Sequence, residues 1–143
     1  MRTYLLYLTL SLAITTLQGQ VTRGQQLPEG LIETFDTDYP EADETEWSRN
    51  GAKYSALFLL NEFRMEAVYD QVGEWQYTDV FLPETEIPEK IASHFRAFYA
   101  NSGYSLKEAL FHDAPSESFY ILKIQKGSQA QSLRFTEEGD LLE

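Results

Sequence analysis

The feature that most constrains the fold of this chain is an internal repeat. Residues 53–75 read KYSALFLLNEFRMEAVYDQVGEW, and residues 119–142 read FYILKIQKGSQAQSLRFTEEGDLL. An offset of 66 positions aligns Tyr54 with Tyr120, Tyr69 with Phe135, and Gly73 with Gly139. Alternating apolar residues and a glycine turn recur in both stretches, which is the pattern of antiparallel strands. Any fold proposed for this chain must therefore explain two similar β-units.

The repeat extends into two amphipathic segments that precede the strands. Leu31 and Phe35 match Phe95 and Tyr99 at an offset of 64, so each half has a helix followed by strands. Asn50-Gly51 is a strong two-residue hairpin signal within the first half. We predict an α+β fold in which two tandem helix-plus-antiparallel-meander units form one two-layer domain over residues 28–143. Unit one covers 28–82 and unit two covers 88–143, with the helices on one face of the sheet and the other face open.

The two predicted helices each begin at a proline, Pro28 and Pro88, which is tolerated at a first helical position. Their apolar stripes contain Leu31, Ile32 and Phe35 in the first helix and Ile91, Phe95, Phe98 and Tyr99 in the second. In the second half, residues 112–118 are predicted to form a loop.

The N-terminus predicts export. Arg2 precedes an apolar run over residues 4–14, followed by small and polar residues up to Gly19, which is the plan of a signal peptide. The run is about half the length that spans a bilayer. We expect residues 1–19 to be a cleaved signal peptide and residues 20–27 to be a flexible lead. The mature chain is then expected to be periplasmic or secreted, with no membrane insertion after cleavage.

Composition limits the classes of function. The chain has no cysteine, which excludes disulfides, thiolate metal sites and a cysteine nucleophile. Its formal net charge is −12, which argues against nucleic acid as a partner. Residues 20–86 hold four Lys/Arg against fifteen Asp/Glu, so the excess of acid lies in the first half. Nine Phe, nine Tyr and two Trp supply the side chains of a core without cross-links.

Strict alternation along each strand assigns side chains to the two faces of the sheet. The helix-covered face is predicted to hold Tyr54, Ala56, Phe58, Met65, Ala67, Tyr69, Tyr120, Leu122, Ile124, Leu133 and Phe135, with Trp75 and Tyr77 sharing a face. The open face is then the candidate binding surface, as an alternative to an ordinary half-wet sheet face. Its candidate partner-binding residues are Leu57, Val68, Gln76, Thr78, Ile121, Lys123 and Arg134.

The chain resembles the PepSY-like family of beta-lactamase-inhibitor-like exported bacterial domains. The resemblance covers roughly residues 28–143 and includes Phe35, Tyr39-Pro40, Trp47, Lys53-Tyr54, Tyr69-Asp70 and Gly73-Glu74-Trp75, with their echoes Phe135 and Gly139. It implies a periplasmic or secreted domain that binds or inhibits a protein or peptide, such as a peptidase or hydrolase. Because these residues are mostly fold positions, no functional residue is carried over.

Three other kinds of site are weaker. His112, Asp113 and Ser116 have the residue types of a catalytic triad but lie in one predicted loop, whereas a triad requires a scaffold that brings distant side chains together. With two histidines and no cysteine, a zinc site would need carboxylates. The acidic residues between 36 and 46 could surround calcium, but Pro40 interrupts any EF-hand pattern. We therefore predict a non-enzymatic binding or inhibitory domain without cofactors, the alternative being a small-ligand or calcium-binding periplasmic protein.

Overall fold

The structure, a computed structural model, describes residues 26–142; the predicted signal peptide and most of the predicted lead lie outside the described residues. It contains two α-helices, α1 (Leu31–Asp38) and α2 (Glu89–Phe98). The strands are β1 (Asp43–Asn50), β2 (Lys53–Leu60), β3 (Phe63–Tyr69), β4 (Trp75–Phe81), β5 (Ser105–Asp113), β6 (Ser118–Lys126), β7 (Gln129–Phe135) and β8 (Leu141–Leu142).

The eight strands form one antiparallel sheet in the sequential order β1 to β8. The sheet is open, with β1 at one edge and β8 at the other. The connection from β4 to α2 contains a short 3-10 turn at Glu84–Glu86. The predicted α+β class is confirmed. In chain order the elements are a helix and four strands, followed by a helix and four strands.

Both helices cover the same face of the sheet. Residues directly opposite each other in an antiparallel ladder point to the same side. One such line crosses the sheet through Phe58, Met65, Val80, Phe111, Tyr120 and Phe135. Met65 packs against the cluster under α1, and Phe135 belongs to the cluster under α2. The opposite face carries no helix within residues 26–142.

The core consists of two apolar clusters. Leu31 and Phe35 of α1 pack on Tyr54, Ala56, Phe58, Ala67 and Tyr69, while Ile91 of α2 packs on Ala109, Leu122, Ile124, Leu133 and Phe135. Burial of each large side chain stabilises the fold by about 1.5–3 kcal/mol. Leu27, in the predicted lead, also packs against the first cluster. All eleven predicted helix-facing strand residues are buried or pack against a cluster.

Two residues of the predicted helix stripes are exposed instead. Ile32 of α1 and Phe98 of α2 are 51% and 64% accessible. Successive helix residues are rotated by about 100°. The side of α2 that packs on the sheet is therefore centred between Ile91 and Ala92 and includes Phe95 and Tyr99, whereas Phe98 lies on the other side of Ile91. Ala92, Phe95 and Tyr99 all pack on the second cluster. Phe98 therefore lies on the flank of the helix, against the ring of His94 at 4.7 Å.

The turns that follow β3 and β7 have the same hydrogen bonds. Asp70 N donates to Glu74 O at 2.9 Å, and Thr136 N donates to Asp140 O at 2.8 Å. Gly73 and Gly139 occupy the same place in these turns with φ of 90° and 83°, where a side chain would be strained. The two glycines of the sequence repeat therefore have the same conformational role.

The predicted loop 112–118 is shorter than expected. β5 continues through His112 to Asp113, and β6 begins at Ser118, so the connection is limited to residues 114–117. Because His112 lies in a strand, its side chain has a fixed direction. It pairs with Asp79 on one side and Phe119 on the other.

Candidate functional site

The helix-free face of the sheet, called here the open face, is the candidate functional surface. The register places Leu57 between Glu46 and Glu66, and Ile121 between Leu110 and Arg134. Val68 lies opposite Ser55, and Lys123 lies opposite Ser132. Five of the predicted site residues therefore occupy this face: Leu57, Val68, Ile121, Lys123 and Arg134.

A β-bulge in β4 changes the direction of the other two. Tyr69 pairs with Trp75 and Val68 pairs with Tyr77, so Gln76 is an extra residue on β4. A bulge interrupts strict alternation. Consequently Trp75 and Thr78 both turn towards the helices, and Tyr77 turns to the open face. The predictions that Thr78 faces outwards and that Trp75 and Tyr77 share a face are both wrong.

Thr78 instead forms a buried polar contact beneath α1. It is 3% exposed, its Oγ1 accepts a hydrogen bond from Trp75 Nε1 at 2.9 Å, and it lies 2.6 Å from the hydroxyl of Tyr39. Burial raises the pKa of Tyr39, and the hydrogen bond to Thr78 partly opposes the rise. The arrangement satisfies three polar groups that would otherwise be costly to bury.

Gln76 makes no paired contact in the ladder. Its amide Nε2 donates to the carbonyl of Glu74 at 3.2 Å, so the side chain folds back on its own turn. Gln76 is therefore displaced from the row of side chains that forms the open face.

An apolar band crosses the centre of the open face. Val68, Leu110 and Phe119 are 5%, 3% and 6% accessible although no helix lies over them within residues 26–142. Neighbouring side chains of the same face cover them. The band continues on either side into half-buried residues: Leu57, Leu59, Tyr77, Phe81 and Ile121.

His112 occupies the middle of this band. Its ring lies 4.8 Å from the ring of Tyr77 and 4.7 Å from that of Phe119, and its Nδ1 lies 2.6 Å from Asp79 Oδ1. The side chains of His112 and Asp79 are 18% and 20% accessible. Burial raises the pKa of Tyr77, and the charges of Asp79 and Glu66 raise it further. Both effects favour the neutral form of the Tyr77 hydroxyl.

Three cationic side chains lie over aromatic rings of the band. Arg134 lies 3.9 Å from the ring centroid of Phe119, Arg64 lies 4.2 Å from that of Phe81, and Lys53 lies 5.7 Å from that of Tyr77. Such cation–π contacts each contribute about 0.5–1 kcal/mol at exposed sites. Arg134 also contacts Glu117 at 3.5 Å, and Lys123 contacts Glu108 at 2.5 Å. The open face therefore combines an aromatic centre with a charged rim.

The residues of the candidate triad are not brought together. His112 bonds to Asp79, whereas Asp113 accepts a hydrogen bond from Ser118 Oγ at 2.8 Å. Adjacent strand residues point to opposite faces, so the His112 and Asp113 side chains diverge. Asp113 therefore does not orient the His112 ring, and the three residues do not form a triad.

Carboxylates do not gather into a metal site in the part of the chain that the structure describes. Within it, no group of three or more His, Asp or Glu side chains is placed to hold a metal ion. The acidic residues between 36 and 46 lie on the end of α1, the following turn and the edge strand β1. The calcium alternative has no structural support among these residues.

Sequence reasoning missed five residues at the centre of the surface: Tyr77, Asp79, Leu110, His112 and Phe119. The alternation of β4 was broken by the bulge, which has no reliable sequence signal. His112 was assigned to a loop because the adjoining Asp113-Ala114-Pro115 resembles one. The offset of the repeat is 64 at the helices and 66 at the strands, so the second half carries two extra residues. These were the available hint that β5 and β6 extend further.

Comparisons with known proteins agree with this architecture. Residues 52–143 match a family model described as "Putative beta-lactamase-inhibitor-like, PepSY-like". A BLIP-like protein of Bacteroides fragilis superposes with a TM-score of 0.74 at 19% identity, covering 85% of this chain and 87% of its own. A structure from Bacteroides eggerthii, described as one of "putative periplasmic proteins", gives a TM-score of 0.73 at 20% identity and covers 83% and 88%.

A further structure, a DUF2874 family protein of Bacteroides ovatus, gives a TM-score of 0.73 at 23% identity, with 84% and 87% covered. At these identities the likeness of the three structures concerns the fold. No curated protein sequence matches the chain. Among residues 26–142, neither helix is long and apolar enough to cross a membrane.

Proposed function

This chain belongs to the PepSY-like, beta-lactamase-inhibitor-like family, and from that premise we propose that it is an exported, non-enzymatic binding or inhibitory domain. Its open face docks a protein or peptide partner. The partner belongs to the class of peptidases or hydrolases, in line with the inhibitor-like description of the family and the BLIP-like neighbour.

The apolar band of the open face is the observation that carries the proposal. A sheet face that only meets water usually carries polar side chains between isolated apolar ones. Here aromatic rings and a histidine converge at the centre of one surface, and arginines lie over the flanking rings. Aromatic residues and arginine are enriched in the energetic centres of protein interfaces, where a rim of polar groups excludes water.

The assignment of binding residues follows the register of the strands. Leu57, Val68, Ile121, Lys123 and Arg134 remain in the proposed surface, and Tyr77, His112 and Phe119 join them. Thr78 and Gln76 leave it. The partner side chains that enter the centre are apolar or aromatic, because the charged groups of this face stand mostly at its rim.

The proposal includes export and an origin by duplication. Export is supported by the signal-peptide pattern of residues 1–19 and by the periplasmic description of the Bacteroides eggerthii neighbour. Duplication of a helix-plus-meander unit is supported by the matching pairs Tyr54–Tyr69 and Tyr120–Phe135. Mass spectrometry of the exported protein tests the first point, with an expected N-terminus at Gln20.

A capture experiment tests the docking surface. Wild-type protein and a Leu57→Asp/Ile121→Asp variant are used to capture partners from an envelope extract. The matched control is Ile32→Asp/Phe98→Asp, because these two exposed apolar residues lie on the helices. Wild type and control are expected to retain the same partner, and the open-face variant is expected to lose it while remaining folded. Equal capture by all three proteins would refute the proposed surface.

A further inference from the structure

The two edges of the sheet differ in whether they can accept another strand. At one edge, β1 carries Asp43, Glu44 and Glu46, and its ladder is interrupted by an irregularity at which Glu44 has φ of 51°. Charges and bulges are the devices that prevent strands from adding to an exposed edge. The β1 edge is therefore protected.

The β7 edge has no such protection over most of its length. β8 pairs only with Arg134 and Phe135, so residues 129–133 have no strand on that side among the described residues. This segment reads Gln-Ala-Gln-Ser-Leu; it contains no charge, and Gln129 to Ser132 are all exposed. An uncharged and uncovered edge segment can pair with an extended chain.

The backbone groups that are free at this edge follow from the hairpin geometry. Lys126 and Gln129 flank a two-residue turn and form a hydrogen-bonded pair. Alternation then directs the N–H groups of Ala130 and Ser132 away from β6. Thr136, in the same phase, donates its N–H to Asp140 at 2.8 Å on the outer side, which agrees with this assignment. Two outward N–H groups and two carbonyls are thus available for pairing.

Charge indicates which chain would pair there. Near residues 129–132, strands β5 and β6 carry Lys107, Lys123 and Lys126 against Glu108, in a protein whose net charge is −12. At the far end of β7, Arg134 pairs with Glu117, and the turn beyond it is acidic. A second copy would bring the same cations to the contact and would be repelled. An extended segment with carboxylates would be attracted to the β7 edge by these cations and repelled by the acidic β1 edge.

We propose that the free edge of β7 binds an extended acidic segment of another protein by antiparallel or parallel strand addition, through Ala130 and Ser132. The edge binds through backbone groups, whereas the open face binds through side chains, although Lys123 lies next to both. The proline variants below change only the edge, so either proposal can fail without the other.

The test uses fluorescein-labelled peptides of about nine residues, a typical strand length with short flanks. In one set Glu alternates with Val and Thr, and in the matched set Lys replaces Glu. Binding to the full protein is measured by fluorescence anisotropy. The Glu peptide is expected to bind at least about tenfold more tightly than the Lys peptide, and the difference should shrink as salt is raised.

Proline substitutions locate the binding edge. Ala130→Pro and Ser132→Pro remove an outward N–H without removing a hydrogen bond to β6, and proline is tolerated at such edge positions. The control is Arg49→Pro, since Asn50 and Lys53 flank the other hairpin turn and the Arg49 N–H points outwards from β1. The β7 variants should lose the Glu peptide, and the β1 variant should keep it.

If a proline variant unfolds, amide exchange in the wild-type protein decides: the amides of Ala130 and Ser132 should become protected when the Glu peptide is added. Three results would overturn the proposal: no binding of the Glu peptide, protection at other amides only, or a wild-type dimer in sedimentation that Ser132→Pro abolishes. The last would show that the edge pairs with a second copy.

Discussion

His112 Nδ1 lies 2.6 Å from Asp79 Oδ1, and this contact joins β5 to β4 at the centre of the open face. These two strands connect the halves of the sheet through only four paired residues each. The surface that we assign to partner binding is therefore centred on the junction between the two halves, and it uses side chains from both.

Tyr77 should be a dominant contact of the docked partner. Its half-buried ring packs on His112 and beneath Lys53. We expect Tyr77→Ala to weaken binding of the captured partner by about 2 kcal/mol or more, which is typical of a central aromatic contact. Tyr104→Ala is the matched control, because Tyr104 has a similar lysine contact, with Lys126 at 5.8 Å, on another part of the protein. Titration calorimetry that gives equal losses for both variants would count against this role.

Thr78 should matter for stability and little for binding. Thr78→Val leaves Tyr39 and Trp75 without their shared partner, which should lower the free energy of unfolding by about 1–3 kcal/mol. Gln76→Ala, two residues away, should cost under about 0.5 kcal/mol because its side chain bonds only to its own turn. Urea denaturation compares the two. A larger loss for Gln76→Ala would mean that the bulge is misplaced.

Tyr69→Phe should not destabilise the protein. The Tyr69 hydroxyl is buried and meets no hydrogen-bond partner within the described residues. At the matching position of the second half, the residue is Phe135. Removal of an unsatisfied buried hydroxyl should leave the free energy of unfolding unchanged or raise it by up to about 1.5 kcal/mol. A loss of more than about 1 kcal/mol on urea denaturation would show that the hydroxyl has a partner.

The same tyrosine predicts how stability changes at high pH. Burial raises the pKa of Tyr69, and the charges of Tyr39 and Asp38 raise it further. The unfolded chain releases its tyrosine protons near pH ~10, whereas folded Tyr69 retains its proton. The contribution of Tyr69 to the free energy of unfolding is therefore fully present below this pH and is lost as the pH rises above it. The melting temperature should fall less steeply above pH ~10 in Tyr69→Phe; identical slopes in both proteins would contradict the assignment.

The two equivalent turn glycines should differ in their tolerance of alanine. Both have positive φ, so each substitution costs about 1 kcal/mol from the backbone. A Cβ at Gly73 would lie 3.8 Å from its nearest neighbours, whereas one at Gly139 would lie 3.1–3.3 Å from three carbons of Lys90, including Cβ. Gly139→Ala should therefore lower the melting temperature more than Gly73→Ala. The reverse order would indicate that Lys90 moves freely.

The fold could be predicted from the sequence because its signals are periodic and local. Alternation identified β2, β3, β6 and β7, and the offset repeat supplied the order of elements. The hairpin signal at Asn50-Gly51 was one residue early, because Asn50 pairs with Lys53 and the turn residues are Gly51 and Ala52. Helix stripes placed Leu31 and Ile91 correctly in the core. Ile32 and Phe98 were misassigned because an apolar stripe is wider than the arc that the sheet covers.

The candidate site was less predictable because one inserted residue reverses a strand. The bulge at Gln76 exchanges the faces of Tyr77 and Thr78. Its position depends on how β4 pairs with β3, not on the sequence of β4 alone. Likewise, His112 acquires its direction from Asp79 and Phe119, which are 33 and 7 residues away. Such contacts depend on register, which single-strand patterns do not contain.

The most direct measurement of the central claim is the dissociation constant of a captured partner with three proteins: wild type, Leu57→Asp/Ile121→Asp and Ile32→Asp/Phe98→Asp. Each is checked for the same fold by circular dichroism. If the open face docks the partner, the Leu57→Asp/Ile121→Asp variant should bind at least about 100-fold more weakly than wild type. The helix-face variant, Ile32→Asp/Phe98→Asp, should bind within about twofold of wild type. An unchanged constant for the open-face variant, with a loss confined to the helix-face variant, would contradict the account.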